Sequence, residues 1–199
     1  MQELVAYLAE FLVPDGGLVA DYGASTGTTA ATIRDAIPGR DVTFWLYDAD
    51  RSMLDVAFER VPGANLVEAK LPSPKPAKRP KADLTLALWF LQFIPARDRL
   101  RVLRELREGA QRRGVLLVAT KVRESGALWQ EISEAYLDDH KAAAGVPLEA
   151  RAAKTRALRG AMFPAELAAL VSDLEIAGWE SPAVLFKLPG WALVAAVAE

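Results

Sequence analysis

Short apolar runs rich in β-branched residues alternate along the chain with longer segments that have the period of amphipathic helices. This alternation is typical of a mostly parallel sheet covered by helices on both faces. The apolar runs predict strands at residues 17–23, 42–48, 64–69, 83–91, 114–120, 182–188 and 191–198. The periodic segments predict helices at residues 2–12, 27–37, 50–60, 97–110, 126–144, 148–160 and 164–177. Pro189-Gly190 joins the last two strands, and so tight a connection predicts an antiparallel hairpin.

A chain of 199 residues is long enough for one sizeable α/β domain. No boundary leaves two self-sufficient cores, so we predict a single domain over residues 1–199. The segment LPSPKPAKRPK at residues 71–81 contains four prolines and four basic residues, which exclude a central strand or a helix interior. We interpret it as a solvated crossover loop, with a docking arm as the alternative.

Composition removes several classes of chemistry. The chain has no cysteine and one histidine, His140, so disulfides and a cysteine nucleophile are excluded and no metal site is expected. The N-terminus lacks the features of a signal peptide, and no apolar run reaches the ~18 residues of a membrane span. We therefore predict a cytoplasmic protein with no membrane contact. The net charge is −2, and acids interleave the arginines of residues 97–113, so we do not expect direct nucleic-acid binding.

The stretch DYGASTG at residues 21–27 joins the first predicted strand to the following helix. Its last five residues match the G-x-S-x-G turn that exposes a nucleophilic serine, in this chain Ser25, in α/β-hydrolases. They also suit a glycine-rich turn that lets a nucleotide approach the backbone. Only about twenty residues precede Ser25, too few for the earlier strands and oxyanion loop of a hydrolase. His140 is predicted on a helix and not in a loop at a strand end, so we favour the nucleotide turn.

A nucleotide site also needs an acid about twenty residues beyond the turn, at the end of the second strand. Asp48 holds that position and offers acceptors to two ribose hydroxyls. Gly23 permits close approach of the backbone, and the amides at the start of the next helix face the ligand. The middle glycine of G-x-G-x-x-G is absent, which argues against a nicotinamide oxidoreductase.

The spacing D-x-G-x-S-x-G from Asp21 to Gly27 resembles motif I of class I S-adenosylmethionine-dependent methyltransferases. The resemblance implies their single-domain Rossmann-like fold, with a mostly parallel seven-stranded sheet and a C-terminal antiparallel hairpin. In that family the acid at the position of Asp21 helps to orient the turn and the amino-acid end of the cofactor.

A closer similarity, over nearly the whole chain, is to the carboxy-S-adenosylmethionine synthase branch. It is carried by DYGASTG (21–27), YDADRSML (47–54), LQFIPARDR (91–99), DHKAAAG (139–145), KTRALRGAM (154–162) and AGW (177–179). Enzymes of that branch are dimers that bind S-adenosylmethionine and prephenate and make a carboxylated cofactor for tRNA modification. The resemblance implies S-adenosylmethionine or a carboxylated derivative as the cofactor. Gly23, Ala24 and Ser25 would line its methionine part, Asp48 would bind its ribose, and Ala49 would lie beside the ribose or adenine.

The chain departs from that branch at three positions. Lys70, next to Leu71, replaces the acid that accepts the adenine amino group, and lysine offers only donors. Leu88, followed by Trp89, replaces an asparagine. Thr155 replaces the arginine that holds the added carboxylate, and Arg156 is rotated from it by about 100° on a helix.

We therefore expect an S-adenosylmethionine-binding transferase that acts on a small molecule, and the resemblance adds a homodimer and a role in tRNA modification. The alternative is a non-catalytic module that has kept the fold and lost tight cofactor binding. The predicted cofactor site consists of Asp21, Gly23, Ala24, Ser25, Gly27, Asp48, Ala49, Leu71, Leu88 and Trp89. Arg156 is the candidate for binding the substrate. No residue is singled out as catalytic, because methyl transfer to a nucleophilic acceptor depends mainly on positioning.

Overall fold

The chain folds into an α/β structure in which helices cover both faces of a main sheet. The computed structural model describes residues 1–74 and 79–199. The strands are β1 Leu18–Tyr22, β2 Thr43–Asp48, β3 Asn65–Glu68, β4 Ala82–Leu88, β5 Ala110–Arg123, β6 Ala165–Glu166, β7 Glu180–Leu188 and β8 Trp191–Val197. The helices are α1 Gln2–Leu12, α2 Thr28–Ala36, α3 Arg51–Arg60, α4 Ala96–Glu108, α5 Ala127–Ala143, α6 Leu148–Leu158 and α7 Leu167–Ile176.

The main sheet has the strand order β3-β2-β1-β4-β5-β8-β7. The pairs from β3 to β5 are parallel, and β8 runs antiparallel to both β5 and β7. The predicted fold class is therefore confirmed, including the C-terminal hairpin. The two-residue strand β6 pairs with the end of β5 and adds an eighth strand to the seven that were predicted.

Apolar side chains cover both faces of this sheet, which explains the continuous apolar runs of its central strands. On one face α1, α2 and α3 bury residues such as Val5, Ile33 and Leu54. On the other face α4 and α7 bury Leu103 and Leu174. No helix in the described ranges combines the length and the hydrophobicity needed to cross a bilayer.

Several element boundaries differ from the prediction, most clearly those of β4, β5 and α7. β4 ends at Leu88 and not at residue 91, because Trp89 adopts a positive φ of 65° and the chain continues into a 3-10 turn at Leu91–Phe93. β5 begins at Ala110, which pairs with Ala82, and extends to Arg123. Residues 165–166 pair with β5 before α7 begins, so the predicted helix at 164–177 starts later.

The proline-rich crossover is anchored where it is described. The backbone NH of Ser73 donates to the carboxylate of Glu105 on α4, and Arg79 forms an ion pair with the same carboxylate at 3.0 Å. Residues 75–78, on which most of the docking-arm alternative rests, lie outside the described residues.

Candidate cofactor and substrate site

The predicted nucleotide site lies at the carboxyl ends of β1, β2 and β4. Strand order reverses between β1 and β4, and such a switch point leaves a crevice above the sheet. Two adjoining cavities occupy it, and both are lined by Gly23 and Trp89. The first, with a volume of 350 Å³, lies along the glycine turn and is called the turn cavity. The second, of 390 Å³, is called the aromatic cleft.

The glycine turn is tied to β2 by its backbone. The NH groups of Gly23 and Ala24 both donate to the carbonyl oxygen of Tyr47, at 2.8 and 3.0 Å. Gly23 has a φ of 75°, and a Cβ on it would lie 2.8 Å from the Cβ of Phe90. Glycine is therefore required there by both conformation and space.

Asp48 is held in place by the turn that it faces. One carboxylate oxygen accepts the NH of Ser25 at 2.8 Å, and the other accepts the NH of Asp50 at 3.0 Å. Each carboxylate oxygen has a second lone pair, so the group retains acceptor capacity for hydroxyl donors. Ser25 itself has a φ of 49°, an unusual conformation for a residue with a side chain. A fixed acid and a strained turn residue are typical of a binding site.

Asp21 supplies a second acid at the floor of the turn cavity. It is 2% exposed, and no hydrogen bond joins its carboxylate to the part of the chain described. Burial, followed by the negative charge of Asp48, raises the pKa of Asp21 from 3.8 to about 7. A cationic ligand group next to Asp21 would relieve this cost, because an opposite charge favours the ionised carboxylate.

The aromatic cleft has apolar walls and few polar groups. Its walls are formed by Leu71, Trp89, Phe90, Phe93 and Ile94. Its charged lining residues are Asp48 and Lys70, and Ala49 lies next to Asp48 in the sequence and also lines it. An apolar cleft beside an acid suits a purine nucleoside, with the rings between apolar side chains and the ribose at the acid.

Stacked aromatic rings support the cleft. Tyr47 lines it and stacks on Tyr22 with 4.3 Å between the ring centroids. The guanidinium carbon of Arg79 lies 5.2 Å and 5.7 Å from the two ring centroids. Its ion pair with Glu105 is nearly buried, with the two side chains 8% and 14% exposed.

A third cavity, of 490 Å³, lies beyond the aromatic cleft and is called the lysine cavity. It is lined by Gln92, Phe93, Lys121, Lys141, Lys154, Thr155, Leu158, Arg159, Gly160, Met162, Pro164 and Trp191. Phe93 lines both this cavity and the aromatic cleft, so the two adjoin.

The structure brings together nearly all of the predicted site residues. The turn cavity and the aromatic cleft are lined by Asp21, Gly23, Ala24, Ser25, Asp48, Ala49, Leu71, Leu88 and Trp89. Gly27 lines neither of them: it precedes α2 in a left-handed conformation, and a Cβ there would lie 2.8 Å from that of Ala57. Arg156 is exposed on α6 and lines none of the three cavities, whereas its neighbour Thr155 lines the lysine cavity.

His140, on α5, lines none of the three cavities. The His140 ring stacks on Tyr136 with centroids 6.3 Å apart, and both residues are exposed. Trp129 on the same helix is 62% exposed. These three aromatic side chains of α5 thus lie on the surface of this chain and not in its core.

Several lining residues were not foreseen as site residues. Phe90 and Phe93 follow β4 directly, and Lys121 is near the end of β5, so strand-end position is a signal that could have found them. Lys141 and Lys154 come from α5 and α6, where no sequence spacing relates them to the sheet.

Strand order, a reversed strand beside β5 and a glycine turn at the switch point are the features of the class I S-adenosylmethionine-dependent methyltransferase fold, which the chain shares. Carboxy-S-adenosyl-L-methionine synthase of Methylococcus capsulatus is 29% identical over 192 residues, which cover 94% of this chain and 79% of that protein. No family model matches the chain.

Two solved structures share the fold at low sequence identity. An O-methyltransferase family protein from Burkholderia thailandensis superposes with a TM-score of 0.68 at 14% identity, covering 100% of this chain and 57% of that one. Human N-acetylserotonin methyltransferase, solved in complex with S-adenosylmethionine, gives 0.65 at 16% identity, with 98% and 50% covered. This chain thus spans about half the length of either structure.

Proposed function

We propose that the protein binds S-adenosylmethionine, or a carboxylated derivative of it, and transfers a group from it to a small molecule. One observation carries the proposal. Four features lie together at the switch point: the buried Asp21, the glycine turn, the carboxylate of Asp48 fixed by backbone amides, and the apolar aromatic cleft. Similarity to S-adenosylmethionine-dependent proteins supports the same cofactor.

The residues of the chain fit the chemistry of this cofactor part by part. Asp21 would bind the ammonium of the methionine part, where a positive charge lowers the cost of ionising a buried carboxylate. Asp48 would accept hydrogen bonds from the ribose hydroxyls, because the Ser25 and Asp50 amides already fix its orientation. Leu71 and Phe93 would cover the adenine. When bound, the cofactor supplies an electrophilic carbon attached to a positively charged sulfur.

We further propose the activity for which the similar Methylococcus capsulatus enzyme is named, the synthesis of carboxy-S-adenosylmethionine, together with a role in tRNA modification.

Three observations favour a second candidate, a non-catalytic module of the same fold. Lys70 offers no acceptor to the adenine amino group, Leu88 no amide, and Thr155 no positive charge to a carboxylate. Incubation with S-adenosylmethionine and prephenate, followed by mass spectrometry for the carboxylated cofactor, separates the two.

Calorimetry with S-adenosylmethionine and with its demethylated product tests the cofactor assignment. We expect micromolar dissociation constants for the natural protein and a loss of at least about tenfold for Asp48→Ala, because a hydrogen-bonded acid is worth about 1.5–3 kcal/mol. Asp55→Ala is the matched control, since Asp55 lies on α3 in an exposed ion pair with Arg51. Binding weaker than millimolar in the natural protein would refute the transferase, and binding unaffected by Asp48→Ala would refute the site.

We also propose that the protein is cytoplasmic and homodimeric. Exposed apolar side chains on α5 and β7 support the dimer, because a monomer leaves them in water.

A further inference from the structure

The polar groups of the lysine cavity are almost all hydrogen-bond donors. Lys121, Lys141, Lys154 and Arg159 bring four positive charges to its wall, and the described lining contains no acid and no histidine. None of the three lysines forms an ion pair with any residue in the described ranges. A cavity of this charge attracts anions, since fixed charges of one sign around a concave surface concentrate the opposite ion.

Gln92 adds a neutral donor whose orientation is fixed. Its side chain is 5% exposed, and its amide oxygen accepts the hydroxyl of Thr120 and the NH of Lys121, both at 3.1 Å. With the oxygen engaged, the NH₂ group is the part of the amide left for a ligand. No hydrogen bond joins that NH₂ group to the rest of the described chain.

Lys121 is held in an environment that favours a bound anion. Burial lowers its pKa, and the positive charges of Lys141 and Lys154 lower it further. Its ammonium nitrogen lies 5.0 Å from the centre of the Trp191 ring. A negatively charged ligand would relieve the repulsion among the three ammonium groups.

The lysine cavity is next to the proposed cofactor site. Trp191 on its wall meets Trp89 of the aromatic cleft edge to face, with ring centroids 4.7 Å apart, and Phe93 lines both spaces. Its volume of 490 Å³ is in the range of small-molecule sites. A ligand held by the lysines would therefore lie next to the cofactor in the proposed site.

The positively charged lining favours a carboxylate as the acceptor. A hydroxyl or amine acceptor loses a proton during transfer and benefits from a general base. A carboxylate needs none: its oxygen bonds to the methyl carbon as the carbon–sulfur bond breaks, the electron pair stays on sulfur, and no proton moves.

We propose that the lysine cavity is the acceptor site, and that it takes a small molecule carrying two or more carboxylates, one of which accepts the methyl group. The remaining carboxylates are bound by the lysines and by the amide of Gln92. This inference rests on the proposed transferase function and gives its substrate class.

Calorimetry without cofactor tests the binding directly. We use citrate, tricarballylate, succinate and malonate as probes, with inorganic phosphate as the other anion. At least one carboxylic acid should bind with a submillimolar dissociation constant and more tightly than phosphate. Lys121→Gln and Lys154→Gln should each weaken it about tenfold, the effect of about 1.4 kcal/mol. Arg112→Gln removes one positive charge from an exposed position outside the cavity and should change it less than twofold.

Binding of phosphate in preference to every carboxylate, binding of none of the probes, or binding indifferent to both lysine changes would overturn the proposal. Probes that bind are then incubated with S-adenosylmethionine and examined by mass spectrometry. A gain of one methylene unit is expected for at least one of them, and its absence from all of them would overturn the acceptor role. Carboxylate binding without cofactor binding would instead refute the transferase, so the two failures are distinguishable.

Discussion

Asp21 and Asp48 are two carboxylates at one switch point in contrasting environments. Asp48 is partly exposed and accepts two backbone amides, whereas Asp21 is buried without such a partner in the described chain. The pKa of Asp21 therefore rises to about 7, in part because Asp48 is negatively charged. The pair can accept a cation at one end of a ligand and hydroxyl groups at the other.

The raised pKa of Asp21 predicts a pH dependence of stability in the unliganded protein. Its contribution to stability is fully present below 3.8, the pKa of an ordinary aspartate, and is lost as pH rises through about 7. Between these values the free energy of unfolding should fall by at most about 1.4 kcal/mol per pH unit from this group. Urea unfolding from pH 4.5 to 8 should show this slope as the difference between the natural protein and Asp21→Asn. Parallel curves for the two proteins would contradict it.

Substitution of Gly23 by alanine should lower the free energy of unfolding more than the same substitution at Gly63, another glycine with positive φ. Gly23→Ala places a Cβ 2.8 Å from that of Phe90 at a φ of 75°, so we expect a loss of about 2–4 kcal/mol from clash and strain together. Gly63→Ala, at a φ of 87° with open space around the new Cβ, should lose only about 1 kcal/mol. Chemical denaturation of both variants tests this, and equal losses would show that strain alone accounts for Gly23.

At the scale of elements, most of the architecture could be predicted from periodicity. The helices and the strands of the main sheet could be predicted because amphipathic helices and buried strands have different hydrophobic periods. The end of β4 could not be predicted, because apolar residues continue beyond it in the sequence. The strand ends where the backbone of Trp89 adopts a positive φ. The shared position of the turn, Asp21 and Asp48 could be predicted because one strand–turn–helix unit and the following strand fix their spacing. The lysine cavity was missed because Lys141 and Lys154, on α5 and α6, meet Lys121 of β5 only through tertiary packing.

Glu105 of α4 is linked to the aromatic cleft through Arg79, whose guanidinium lies over the ring of Tyr47, and we predict that this ion pair stabilises the fold. Glu105→Ala leaves the guanidinium of Arg79 nearly buried without its charge partner, and removes the acceptor of the Ser73 amide. We expect a loss of about 2–4 kcal/mol in the free energy of unfolding, because breaking a buried pair strands a charge. Glu108→Ala, exposed on the same helix, should lose less than about 0.5 kcal/mol. Similar losses at the two positions in denaturant titrations would contradict this role.

At the scale of the whole molecule, one end of the sheet is unusually apolar on its surface. β7 is the edge strand, and its exposed side chains include Val184, Leu185 and Phe186. Helix α5 exposes Leu128 and Trp129 to 63% and 62%. Exposed apolar edges of this kind promote association between chains.

The proposed homodimer can be tested on these surfaces by light scattering coupled to size exclusion. The natural protein should elute as a dimer at micromolar concentration, and Trp129→Glu combined with Phe186→Lys should shift it to a monomer. Tyr7→Glu on α1, at a residue 56% exposed and far in sequence from both elements, should leave the dimer intact. A natural protein that remains monomeric as its concentration is raised would refute the dimer.

The central claim is that the switch-point cavities hold S-adenosylmethionine. A crystal structure of the protein with its demethylated product tests it most directly. The claim predicts the amino-acid end beside Asp21, the ribose hydroxyls within hydrogen-bond distance of Asp48, and the adenine between Leu71 and Phe93. Ligand density at another place, or none at a saturating concentration, would contradict it.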